Sequence, residues 1–435
     1  MTNDRGVPVK ENKKTAILVA YNFVPINFIA SQRALRMARA LLGEFHNVYV
    51  LTSAHNLTCK KFLDFSLGRD VLNNPRLHLV ELRPLLHGYG LVENTKLWHR
   101  IIGALLTRLF CSSGIDWVIP LNKALREINK LENVNIVLVT GPPFVPLLAA
   151  SNFARKNNIP CIIDYRDLWS QNLHSTYPVF SRYLVRNMIE RKFLDQGKIV
   201  TTVSNGLADS IKIINPAIDV RVLFNTPDIE YVLWFKDQRL DDNFQDDYFN
   251  IVYTGTIYKE CTFRLLVCAI KGLQAHLRLK IRVHYFGLSK KIIESDFNHD
   301  WCNELLVNHG YVSKKVACQA VIKADLLLSL IYDEKVNHHS HDTIQISGLM
   351  STKIFDYFLS GNAIVNIGPD NADINIFANK IGYSNFFNFD SNREAELSQF
   401  ISNAMNNLDI FRSKKSNISL PDFSSTFNDI IQDAI

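Results

Sequence analysis

Short, nearly continuous apolar runs alternate along this chain with longer stretches in which apolar residues return every three or four positions. Ala16 to Ala20 is the first run, and Asn22 to Asn27 reads as a loop. From Ala30 to Phe45 the apolar positions Leu35, Ala38, Leu41 and Leu42 recur at helical spacing. Asn47 to Thr52 (NVYVLT) is the next run and Leu77 to Leu82 a third. The chain therefore opens strand, helix, strand, as a parallel doubly wound sheet does. The same pattern predicts helices over Lys96–Phe110, Trp117–Lys130, Pro143–Lys156, Val185–Leu194 and Gly206–Ile214, and strands over Asn135–Thr140, Cys161–Tyr165, Lys198–Ser204 and Val220–Phe224.

The alternation stops at an acidic, weakly apolar stretch, Asp237 to Asp247 (DQRLDDNFQDD), which suits an exposed linker. It then resumes with strands at Asn250–Tyr253, Ile281–Tyr285 and Asp325–Leu330 and helices at Phe263–Gln274, Ser313–Lys323 and Lys353–Leu359. The expected organisation is a first α/β domain over residues 1–228, a linker over 229–248, a second α/β domain over 249–410 and a tail over 411–435. A length of 435 residues agrees with about two domains.

Composition changes this picture little. A hydrophobic share of 47 % fits packed cores, and a net charge of +6 suits phosphate-bearing ligands or an anionic membrane face but is too small and scattered for nucleic acid. The seven cysteines, at 59, 111, 161, 261, 268, 302 and 318, are odd in number and widely spaced, with no CxxC pair. They read as free thiols in a reducing compartment, with no structural zinc. Lys10, Lys13 and Lys14 before an apolar run resemble a signal peptide, but Asn22, Pro25 and Asn27 break the run, so it reads as a buried strand. No run of about 18 apolar residues predicts a transmembrane helix.

In open α/β sheets, ligands bind beyond the carboxyl ends of the strands. The residues to inspect are therefore Asn22, Pro25 and Asn27, then Gly141-Pro142-Pro143, then Asp164-Tyr165-Arg166-Asp167-Leu168-Trp169, and in the second domain Thr254-Gly255-Thr256-Ile257-Tyr258-Lys259. The most informative segment is ISGLMSTKIFDYFLSG, Ile346 to Gly361. Ser351 and Thr352 are good helix N-caps, and the amide groups of a helix start attract anions. Lys353 adds a full positive charge and Asp356 follows three residues later, on the same helix face. Together they can hold a phosphate and a ribose; the alternative is a surface helix with a solvated lysine and aspartate.

Three segments in order resemble the bacterial glycosyltransferases of the GT-B fold, specifically the retaining, family-4-like group that uses nucleotide sugars to build O-antigen or capsular polysaccharide. They are TGPPF…IPCIIDYRDLW, NIVYTGTIYKE and STKIFDYFLSGNAIVNIGP. The likeness spans roughly residues 15 to 400. It implies two Rossmann-like domains facing across a cleft, and a metal-free, cofactor-free transfer in which the nucleotide sugar is a substrate. Donor contacts would come from Gly255, Thr256, Lys259, Ser351, Thr352, Lys353 and Asp356, the last standing where relatives place a ribose-binding glutamate. Acceptor-side residues would be Asn22, Arg33, Pro142, Arg166 and Trp169. Arg166 and Trp169 have a structural alternative, with Arg166 paired to a carboxylate inside its own domain. Catalysis would rest on Lys259 and Lys353, which stabilise the departing diphosphate. Asp164 or Asp167 would be the base if the reaction inverts, and the sequence leaves retention and inversion open.

This chain departs from those relatives in four places. Gly348 stands where many have a first acidic residue, Asp356 replaces a glutamate, Ala363 replaces a proline, and YNFVPINFIAS lacks a glycine pair. Two alternative functions stay open, a sugar-nucleotide epimerase of the same fold and a catalytically silent scaffold of a polysaccharide assembly complex. The resemblance implies a cytoplasmic protein with a glycan acceptor, lipid-linked, and a tail helix that crosses back to the first domain. The helix KLWHRIIGALLTRLF either lies on the inner face of an anionic membrane or packs in the first core. The loop Asn337–Asp342, with three histidines, is read as a polar loop before the nucleotide-binding helix, not a metal site.

Overall fold

The computed structural model describes residues 14–54, 60–85, 97–172, 177–238, 247–257, 263–302, 304–331, 348–390, 392–413 and 418–435. They form two compact units. One comprises the chain up to Asn225 together with Phe423–Ile435, and the other runs from Thr226 to Asp422.

The first unit is built on a seven-stranded sheet of order β3-β2-β1-β4-β5-β6-β7. Its strands are β1 (Thr15–Ala20), β2 (Asn47–Ser53), β3 (Leu77–Leu82), β4 (Val134–Gly141), β5 (Cys161–Tyr165), β6 (Ile199–Thr202) and β7 (Val220–Val222). All neighbours pair in parallel. A parallel sheet is covered on both faces, which is why its central strands read as unbroken apolar runs. Successive side chains of β1 serve opposite layers. Ile17 and Val19 join a core with Trp117, Phe144 and Trp169, while Ala16, Leu18 and Ala20 join one with Phe45, Phe423 and Phe427.

The second unit has six parallel strands of order β10-β9-β8-β11-β12-β13. They are β8 (Phe249–Thr254), β9 (Ile281–Phe286), β10 (Leu306–Gly310), β11 (Leu326–Leu330), β12 (Ala363–Ile367) and β13 (Phe386–Phe389). Local signals start several helices. Ser204 Oγ accepts from Leu207 N at 3.3 Å, and Asp228 Oδ1 accepts from Tyr231 N at 2.9 Å. Each satisfies an amide that the helix itself leaves unbonded.

Three expectations need correction. Residues 229–237 are not exposed linker: Ile229–Asp237 is a helix of the second unit, capped by Asp228, with Phe235 buried and its face against the helix Lys353–Ser360. The stretch 411–435 is not one tail. Leu408–Ser413 stays with the second unit, where Phe411 packs on Phe249, whereas Phe423–Ala434 belongs to the first unit and buries Phe423, Phe427, Ile430 and Ile431 there. The helix expected at Val185–Leu194 begins at Val179, and its central turn, Val185–Glu190, is wound as a π-helix. The acidic stretch 239–246 lies outside the described residues.

Candidate functional site

In each sheet the strand order reverses direction once, and ligands of open α/β sheets bind beyond the strand ends at such a point. In the second unit the reversal falls between β8 and β11. Beyond β8 the chain turns at Gly255, whose φ of +108° is left-handed territory that side chains avoid. Gly255 and Thr256 are both exposed there. The Gly255 amide donates to Phe286 O at 2.8 Å, which fixes the turn against β9. Gly287 makes this approach possible: a β-carbon on it would sit 2.2 Å from Gly255 O and 2.4 Å from Tyr285 Oη.

The helix Lys353–Ser360 arrives beside this turn. Lys353 Cδ lies 3.7 Å from the point where a Gly255 β-carbon would project, and its Nζ sits 3.3 Å from the centre of the Tyr253 ring. An ammonium over a tyrosine face is held by the ring's negative quadrupole. Tyr357, one turn along, accepts from Thr254 N at 3.0 Å, so the helix is pinned to the end of β8. Burial pushes the Tyr357 phenol up to about 12, so it stays a neutral group at this post. Thr352 caps the helix without a side-chain bond to it, and Ser351 is exposed.

Asp356 is buried and faces the helices Ile229–Asp237 and Lys314–Lys323. Its Oδ1 accepts from Tyr231 Oη at 2.7 Å, and its Oδ2 from Lys314 Nζ at 2.5 Å. Burial and then the Asp356 charge push the Tyr231 phenol far above its ordinary range. The Lys314 side chain is 52 % exposed, so this pair has one wet side. A carboxylate has about four acceptor sites, so two donors leave capacity for others. Thus Lys353 and Tyr357 meet the Tyr253–Gly255 strand end, Ser351 and Thr352 precede them at the start of the same helix, and Asp356 on that helix faces Tyr231 and Lys314. Lys259 and the loop Asn337–Asp342 lie outside the described residues. Among the described residues, no group of three or more His, Cys, Asp or Glu is placed to hold a metal ion.

In the first unit the reversal falls between β1 and β4. Asn22 and Pro142 are half-buried there, and Asp167 is exposed. Arg166 reaches from the end of β5 to the β4 turn, donating to Gly141 O at 3.0 Å and Pro142 O at 3.4 Å. It therefore closes a turn, and its Nε is 3.9 Å from Asp164, the carboxylate inside its own unit.

Asp164, Arg33 and Trp169 are corrections to the sequence expectation. Asp164 is fully buried and cannot serve as a general base to an incoming substrate. Arg33 grips it through Nε at 3.0 Å and Nη2 at 2.7 Å, and the hydroxyls of Thr140 and Thr201 donate to it at 2.6 Å and 2.8 Å. Burial alone would raise its pKa, but Arg33, Arg166 and Thr140 outweigh burial and hold it below the usual carboxylate value. Arg33 is likewise sealed; its Nη1 donates to Leu223 O and Asn225 Oδ1. Trp169 is buried, with its ring stacked on Phe144 and its Nε1 donating to Phe110 O at 2.8 Å.

Sequence reasoning missed Tyr231, Lys314, Tyr357, Gly287 and the buried pair Tyr165–Glu190, in which the phenol donates to the carboxylate and itself accepts from Trp169 N. Only Tyr357 carried a signal, by its place one residue after Asp356.

No known protein-family profile matches the chain, and no curated protein sequence matches it. Solved structures do. Sucrose-phosphate synthase from Thermosynechococcus elongatus superposes with a TM-score of 0.59 at 10 % identity, over 96 % of this chain and 94 % of that one. The trehalose-6-phosphate phosphatase N-terminal domain of Candida albicans gives a TM-score of 0.52 at 12 % identity, over 98 % of each chain. At such identities the likeness is one of fold, and the fold is GT-B, with two Rossmann-like, wholly parallel α/β domains.

Proposed function

We propose that this protein is a glycosyltransferase. It moves a sugar from a UDP- or GDP-linked donor to a glycan acceptor, lipid-linked, in the building of a surface polysaccharide, and it does so with retention. One observation carries the reading: Lys353 overhangs the left-handed Gly255 turn at the switch point, with Asp356 one turn further along the same helix. A turn without a side chain lets a diphosphate approach the backbone, the ammonium offsets its charge, and the carboxylate accepts from ribose hydroxyls.

The first unit supports the retaining reading. Asp164 is sealed by Arg33, which removes one of two candidate bases. In the retaining reading the donor supplies its own. The bond from the anomeric carbon to the phosphate oxygen breaks, the acceptor oxygen bonds to that carbon on the same face, and the acceptor proton passes to the leaving phosphate. Positioning and charge stabilisation carry such a step, and Lys353 provides the cation without need of a metal.

Thermal stabilisation by UDP, GDP and their sugars tests the donor site. At a hundredfold excess over Kd a ligand adds about 2.7 kcal/mol, a rise of roughly 5–11 °C for a unit of this size. Wild type should respond to one nucleotide series, and Lys353→Ala and Asp356→Ala should not; no response from wild type sinks the reading. Transfer to acceptor, followed by NMR of the new anomeric centre, separates the alternatives. Epimerised donor without acceptor identifies an epimerase, and binding without turnover a silent scaffold. Asp167→Asn should keep activity within about threefold, whereas a loss of about a hundredfold or more would assign Asp167 as an inverting base.

A further inference from the structure

We propose that Lys314 is a specificity-determining residue of the donor site. Its ammonium and the Asp356 carboxylate together read a ribose hydroxyl, and Tyr231 is the positioning residue that holds the carboxylate for them. Both roles rest on the donor-site reading above. Lys314 opens its helix soon after β10 ends, and Lys353 opens its own beside the end of β8, so both stand at the carboxyl ends of the strands, where ligands of such sheets bind. Ser313 caps the first of these helices, its Oγ accepting from Val316 N at 3.4 Å. This start sets Lys314 Nζ 2.5 Å from Asp356 Oδ2. The Lys314 side chain is 52 % exposed and that of Asp356 11 %. A pair with so wet a cation adds little to stability. An ammonium has three N–H donors, and Asp356 Oδ2 takes one. A hydroxyl that reaches the pair can donate to the carboxylate and accept from the ammonium at once. A sugar without that hydroxyl leaves both charges short of a partner.

The carboxylate of an aspartate turns easily about its last torsion. Tyr231 fixes that of Asp356. A carboxylate cannot donate, so the Tyr231 hydroxyl gives its one hydrogen to Asp356 Oδ1, at 2.7 Å. The phenol oxygen is then the acceptor for the Cys318 thiol, 3.4 Å away. Burial pushes that thiol up to about 11, so it keeps its proton. Cys318 stands one turn after Lys314 on the same helix, and Lys314 Nζ lies 5.4 Å from the centre of the Tyr231 ring. The helices Ile229–Asp237 and Lys314–Lys323 thus set one oxygen of Asp356 against a phenol and the other against an ammonium.

Titration calorimetry with UDP, GDP and their 2′-deoxy counterparts tests this. The readout is the ratio of dissociation constants, deoxy over ribo, for the base that wild type binds. Wild type should prefer the ribonucleotide by roughly 10- to 100-fold, the worth of hydrogen bonds to charged groups. Lys314→Met should cut the ratio about tenfold, and Lys314→Arg, which keeps the cation, should hold it within about threefold of wild type. Lys314→Gln, with a neutral donor beside Asp356, replaces Lys314→Met if that protein does not fold, and should cut the ratio about fivefold. Tyr231→Phe removes one oxygen, keeps the ring and should cut the ratio about threefold. Both nucleotides bind the same folded protein, so a variant that is merely less stable keeps the wild-type ratio. A wild-type ratio in the Lys314→Met or Lys314→Gln protein overturns the role of Lys314, and one in Tyr231→Phe overturns that of Tyr231. Equal binding of ribo and deoxy forms by wild type overturns both roles and leaves the nucleotide site in place. Binding of neither UDP nor GDP sinks the donor-site reading, and the two roles with it.

Discussion

Asp164 and Asp356 are each held by a basic side chain, but Arg33 and Asp164 are wholly buried whereas Lys314 keeps half its surface in water. The difference separates a sealed ion pair from one whose cation still meets water. Replacing Asp164 by Asn leaves the Arg33 charge buried beside a neutral amide, which should cost about 3–5 kcal/mol in urea unfolding. An Arg33→Met/Asp164→Leu protein should recover most of that loss. The pH dependence has a definite sign. Because the folded-state pKa of Asp164 is depressed, its contribution is complete above the unfolded value of about 3.9 and disappears as pH falls through the lower folded value. Wild type should therefore lose stability below about pH 4 more steeply than Asp164→Asn does. Sequence alone could not separate the two aspartates. The partner of Asp164 lies 131 residues away and those of Asp356 lie 125 and 42 away, and periodicity carries no information about such pairs.

Among elements, the turn after β8 depends on a neighbour with no side chain. Gly287→Ala would drive a methyl group into the Gly255 carbonyl and the Tyr285 hydroxyl, both of them fixed. The turn should shift, stability should fall by about 2 kcal/mol or more, and the nucleotide-induced rise in melting temperature should vanish. Gly382→Ala is the control. Its φ of +67° makes alanine strained by about 1 kcal/mol, but its surroundings are open, so the nucleotide response should survive. The alternation of strands and helices was legible because parallel strands buried on both faces must be apolar throughout. The helix Ile229–Asp237 was not, although Asp228 offered an N-cap. The acidic run after it dominated the reading, and the apolar face of the helix is short. The strand end DYRDLW reads as a site by its charges, yet Asp164 and Trp169 point inward, because side chains alternate between faces and the loop after the strand folds back over the core.

For the whole molecule, the first unit is discontinuous. It holds the chain's final helix, whose Phe427 is fully buried between residues of the first core. Phe427→Ala should destabilise that unit by about 3–5 kcal/mol and leave the unfolding of residues 226–422 unchanged, which appears in calorimetry as one transition moving and one staying. Arg33 gives this arrangement a further meaning. One guanidinium bonds Asn225, where the chain departs, at 2.8 Å, and faces the ring of Phe423, where it comes back, at 5.3 Å. The two stubs are thus close enough for roughly four extended residues to join them. Residues 226 to 422 are thus an insertion between two neighbouring points of the first unit. A glycine bridge can replace it, or a foreign domain with closely set ends can be spliced in, without cutting a strand of the host sheet.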